Sequence, residues 1–124
     1  MLKQRFLQAV VTVTAIATVV GFTAHETSAH HGWSEYNSQQ TLNLAGEIQT
    51  ITYGNPHTTI QLKSGSKVWT AVLAPSSRME RRGLQKGALK AGQTVRVVGY
   101  PHRSDANEMR AERITIAGKT TELR

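Results

Sequence analysis

The residues best suited to chemistry in this chain are His30 and His31, which follow Thr27-Ser28-Ala29, a small-residue stretch of the kind a signal peptidase cuts. Cleavage after Ala29 makes His30 the new N-terminus. Its amine, with an ordinary pKa of about 7.7 to 8.0, and its imidazole can then chelate one ion. His31 and the distant His57 offer further nitrogens. An all-nitrogen set of this kind suits Cu(II), Ni(II) or Zn(II), with copper favoured. The expected metal ligands are therefore His30, His31 and His57, with Glu35 and Asn55 as supporting groups. Plainer readings compete: a polar N-terminal arm or a metal-free hydrogen-bonded patch for the pair, and for His57 a turn histidine hydrogen-bonded to Asn55. Met109 is a soft donor for Cu(I), but its alternating spacing in a strand places it in the core.

The segment before the pair reads as an export signal over 1-29, which predicts a periplasmic protein. Lys3 and Arg5 supply the positive start, and the apolar stretch 7–22 is too short and too rich in Ala and Thr to read as a spanning helix. What remains is enough for one small domain. With no cysteine, neither a disulfide framework nor a thiolate metal site is available, so a paired sheet and one apolar core must hold the fold.

The formal charge is +7, and cleavage would remove only Lys3, Arg5 and Glu26 among the Lys, Arg, Asp and Glu residues. A surface this basic attracts nucleic acid, anionic lipid headgroups or acidic envelope polymers, and export leaves nucleic acid the least accessible of them. The densest run holds Arg78, Arg81, Arg82 and Lys86, with Arg78 and Arg82 on one face at helical spacing. That face is a candidate binding surface for an anionic envelope partner. The competing reading is a solvated helix face paired with Glu80 and Glu108. No enzyme signature appears: no Gly-rich phosphate loop, no Gly-x-Ser-x-Gly, no His-Glu-x-x-His. Asp105 is the only aspartate, and its loop setting makes it structural.

The elements that must position these groups are read from hydropathy alternation. Residues 30-41 are polar and unpatterned and read as an N-terminal arm ahead of a domain over 42-124. Leu42, Leu44, Gly46 and Ile48 alternate with polar neighbours, then the phase moves to Ile51 and Tyr53, as a bulged strand requires. Asn55-Pro56 turns the chain into a second strand with Thr58, Ile60 and Leu62 on one face; Ser64-Gly65-Ser66 closes a hairpin to a third, 67–74. Ser77, three residues before Glu80, reads as a capping box opening a short helix, followed by a second turn. A fourth strand over 94–100 and a fifth over 109–117, also with a phase change, leave a short end piece 120–124. Three strands, a helical connection and two strands is the element order of a small five-stranded OB-like barrel, mostly β; an open five-stranded sheet is the alternative.

Four stretches together resemble the domain-of-unknown-function family 6152, small exported bacterial proteins. They are Ala29-His30-His31-Gly32-Trp33 with Glu35-Tyr36; Asn55-Pro56-His57; Arg81-Arg82-Gly83-Leu84 with Leu89-Lys90-Ala91-Gly92; and Val98-Gly99-Tyr100 with Asn107-Glu108-Met109-Arg110-Ala111. The resemblance implies a periplasmic OB-like β-domain without an established activity, and it points to His30, His31, Asn55 and His57 as the positions to test.

Overall fold

The computed structural model describes residues 32–54 and 56–124. The export segment, His30, His31 and Asn55 lie outside the described residues. Six strands form one sheet in the order β3-β2-β1-β4-β5-β6: β1 Leu42–Tyr53, β2 Thr58–Ser64, β3 Lys67–Val72, β4 Thr94–Pro101, β5 Glu108–Ile116 and β6 Lys119–Glu122. A parallel pairing of β3 with β5, from Thr70↔Glu108 to Val72↔Arg110, closes the first five strands into a barrel. That connectivity is the Greek-key topology of the OB-fold.

Both phase changes in the sequence are bulges. In β1, Ile48 pairs with Leu62 and Thr50 with Gln61, so Gln49 is the extra residue that rotates the strand. In β5, Ala111 faces Gly99 and Arg113 faces Val98, leaving Glu112 extra. A small barrel needs such kinks, because its long strands must curl around a narrow interior. The inward residues Ile48, Ile60, Leu62, Ala71, Leu73, Val97, Met109, Ala111 and Ile114 are all fully buried, so Met109 is core. Helix α1, Ser76–Arg81, lies between β3 and β4 and buries Met79; Leu84 and Leu89 from the following connection join the same cluster. None of the helices among the described residues is long and apolar enough to cross a membrane.

The structure departs from the sequence reading at three places. The capping box does not form: Pro75 stands at the cap, Arg78 and Met79 donate to its carbonyl, and no side chain caps the helix. The helix thus begins two residues earlier than a Ser77 cap predicts, and Ser76 meets the buried Thr58 hydroxyl at 3.1 Å. The end piece is a sixth strand. It pairs with the second half of β5, from Arg113↔Glu122 to Ile116↔Lys119, and buries Leu123 against the core. The arm is also part of the fold. Residues 33–35 make a 3-10 turn, Tyr36 pairs with His102, and the Tyr36 ring is 1 % exposed.

The β5–β6 turn carries a local strain that can be relieved. Ala117 and Gly118 both have positive φ, 48° and 80°, a pairing that suits Asn-Gly rather than Ala-Gly. An L-residue other than Gly, Asn or Asp costs roughly 1 kcal/mol in that region. Ala117→Asn should therefore stabilise the protein by about 0.5 kcal/mol, read as a higher urea midpoint at unchanged m-value.

Candidate functional site

Register brings the chemistry to one end of the barrel. Arg110 on β5 is level with Val72 on β3, and Val72 with Thr59 on β2, so His57, just before β2, reaches across to Arg110. Arg110 Nη2 donates to His57 Nε2 at 3.2 Å. A guanidinium has no acceptor, so this bond uses the Nε2 lone pair and places the proton of the neutral ring on Nδ1. The Arg110 guanidinium is covered by Trp33, with its carbon 4.6 Å from the indole centroid, and Arg124 stacks on the same indole at 4.5 Å. Tyr100 meets Trp33 edge-on at 6.2 Å, and its hydroxyl donates to Glu112 at 2.8 Å. Arg110 is 3 % exposed. Burial lowers its pKa from the ordinary guanidinium value, and the charges of Arg78 and Arg124 push in the same direction.

A second cluster fastens the arm that carries Trp33. The Tyr36 hydroxyl donates to Glu108 at 2.8 Å. The His102 ring lies edge-on to Tyr36, with Nε2 at 3.7 Å from Glu108 and 3.8 Å from Glu35. Backbone N–H groups of Ser104 and Asp105 both donate to His102 Nδ1, at 3.1 and 3.0 Å. The neutral ring therefore keeps its proton on Nε2, facing the two carboxylates. Arg103 completes the strap, donating from its backbone to the Glu35 carbonyl and from Nε to the Ser34 carbonyl.

Burial, the bond to Glu108 and that carboxylate's charge all push the Tyr36 hydroxyl well above its ordinary value of 10.0. Above pH 10.0 the unfolded chain then gives up a proton that the folded chain keeps. Stability carried by this group is complete below that pH and is lost as pH rises above it. Denaturant midpoints between pH 9 and 11 should fall less steeply for Tyr36→Phe than for the parent, on linkage grounds, once the fall is measured relative to each protein's own value at the lower pH.

The groups singled out from sequence fall in different places. His57 is at the site, and Glu35 is in the strap beside His102. The basic helix face has a structural use. Arg78 Nη1 donates to the Leu123 carbonyl at 3.4 Å and Arg82 Nη1 to the Glu122 carbonyl at 2.9 Å, so the two arginines one helical turn apart cover the outer edge of β6. Arg81 is exposed, and the Lys86 carbonyl accepts the Tyr53 hydroxyl. Asp105 is structural, its carboxylate accepting the Asn107 N–H at 2.9 Å. Among the described residues no group of three or more His, Cys, Asp or Glu side chains is arranged to hold a metal ion. Trp33, Tyr100, His102, Arg110 and Arg124 escape the sequence reading of the site. They come from the arm, two strands, a hairpin loop and the chain end, and only a β-strand phase argument places any of them.

The fold has relatives among solved structures. The chain is similar to part of TiaS in its crystal complex with a tRNA and ATP, with TM-score 0.50 and 15 % identity over 72 % of this chain and 20 % of that one. It also overlays on an aspartyl tRNA synthetase from Entamoeba histolytica, with TM-score 0.48 and 13 % identity over 80 % of this chain and 23 % of that one. It thus spans under a quarter of the length of either protein, and the likeness to the first shows the fold alone. None of the curated proteins matches it. A family model described as a family of unknown function, DUF6152, matches residues 18–111, and the chain belongs to that family.

Proposed function

We propose that this protein is an exported, non-enzymatic binding module that engages an anionic partner of the bacterial envelope through the positive end of its barrel. The observation that carries the reading is the gathering of Arg110 and Arg124 on one indole, with Arg78 close by on the Leu123 carbonyl. Like charges held together cost energy, and a bound anion offsets that cost. Glu112 answers part of it, at 3.8 Å from both Arg124 and Arg113. Inorganic polyphosphate is a convenient probe. The protein should bind it at low ionic strength, lose most of that binding as salt is raised through the physiological range, and bind equally well with a chelator present. Binding that ignores salt would overturn the reading.

A transition-metal site, with copper favoured, at His30 and its amine, His31 and His57 is the second reading. One observation favours it: Gly32, next to the histidine pair in sequence, is followed by Trp33, which is stacked on the guanidinium that bonds His57. Trp33 stands two residues after His31 in sequence, which is what supports this reading. Working against it, His57 Nε2 can bind a metal only by giving up Arg110, which would leave a buried cation beside the ion. If polyphosphate binding vanished with a chelator while Cu(II) bound in a His57-dependent way, this second reading would take precedence.

A further inference from the structure

Resting on the anion-binding reading, and narrowing it to a place and a ligand class, we infer that Arg124, on the Trp33 ring that also covers Arg110, and Arg78, on the neighbouring Leu123 carbonyl, form a site for a single phosphate group. Three facts of geometry lead there. Arg110 is buried, and its bond to His57 and its stacking on Trp33 hold its charge in place without solvent screening. Arg124, with its side chain 55 % exposed, places a second guanidinium on the same indole, where it can bond a ligand from solvent. Arg78, partly exposed, is held on the Leu123 carbonyl, one residue from Arg124. The buried charge acts as a fixed field, and the two outer guanidiniums supply the contacts.

Charge decides between oxyanions. A dianionic phosphate monoester interacts with this field about twice as strongly as a carboxylate at the same distance, and its oxygens match the guanidinium fork. His57 strengthens the preference for an anion, because Arg110 has taken the lone pair through which Nε2 would attract a cation. The shared Trp33 indole and the Leu123 carbonyl next to Arg124 bring the three positive groups to the same end of the barrel. A phosphomonoester on an envelope polymer, the headgroup of phosphatidic acid and free phosphate all present this chemistry.

The test is a titration of the protein with inorganic phosphate, and separately with acetate, followed by the NMR signals of the Trp33 indole N–H and the His57 ring. Phosphate is expected to move both signals in a saturable way, with acetate at least tenfold weaker. Arg124→Gln should weaken phosphate binding roughly tenfold, the scale of one lost charge-assisted hydrogen bond. Arg81→Gln, an exposed change on the same helix as Arg78, should leave it within twofold. Phosphate should also raise the thermal midpoint of the parent more than that of Arg124→Gln, as ligand linkage requires. Should phosphate leave Trp33 and His57 unmoved, or Arg81→Gln cost as much as Arg124→Gln, the site is wrong. Salt-sensitive polyphosphate binding would then still support a diffuse basic surface. If neither phosphate nor polyphosphate binds, the site and the broader anion reading fall together. A stronger response to glycerophosphate or to phosphatidic acid micelles than to free phosphate would identify a headgroup as the source.

Discussion

Gly99→Ala is expected to be the most damaging single-methyl change in this protein, costing about 3 kcal/mol or more. A Cβ at position 99 would lie well inside contact distance of the Arg110 carbonyl oxygen and 2.8 Å from the Met109 terminal methyl. The first of these neighbours is backbone in the β4–β5 ladder, at the bulge where Gly99 faces Ala111, so it cannot swing aside. The strands must part, and Arg110 moves with them. Gly87→Ala is the comparison, since a Cβ there meets nothing within 4 Å and the residue has no positive φ. Urea denaturation should place Gly87→Ala within about 0.5 kcal/mol of the parent. Equal midpoints for the two variants would show that the β4–β5 bulge is not packed as described.

Tyr36→Ala should cost a similar amount, about 3 kcal/mol, the scale of deleting a large buried ring. The ring is 1 % exposed under the His102 edge, and its hydroxyl is bonded to Glu108. The consequence reaches beyond stability. Tyr36 anchors the strap whose Trp33 covers Arg110, so its loss should loosen the indole and expose the guanidinium. Tyr36→Phe separates the two contributions: it keeps the packing, breaks the bond to Glu108, and should cost about 1 to 2 kcal/mol for the stranded acceptor. In the phosphate titration Tyr36→Phe should keep the Trp33 response, because the ring still holds the strap. A Tyr36→Ala protein as stable as the parent would mean that residues 32–41 are a detachable arm after all.

Much of the barrel is legible in the chain because hydropathy alternation is a local property. The phase shifts at Ile48 to Ile51 and at Ala111 to Ile114 each mark a bulge, and the Pro75 and Gly92 boundaries enclose the connection between β3 and β4. The sixth strand is not legible. Four residues, all polar, carry no alternation signal, and the strand exists because β5 offers an unpaired edge and Leu123 fills the core below it. The arm escapes for a related reason: Tyr36 is a lone aromatic in a polar stretch, and its burial depends on a partner 66 residues away at His102.

The basic helix divides the same way. Spacing alone puts Arg78 and Arg82 on one face, but nothing local says that this face meets the carbonyls of Leu123 and Glu122 rather than water or a partner. His57 can be recognised as a strand-entry histidine from Asn55-Pro56. Which of its ring nitrogens has a lone pair to offer depends on Arg110, 53 residues on. Residue order is thus sufficient for the five barrel strands, their kinks and the excess of positive charge, all of which are set by neighbours along the chain. The gathering of Trp33, His57, Arg110 and Arg124 required barrel closure, because parallel pairing of β3 with β5 and the folding-back of the arm bring together groups that share no local pattern.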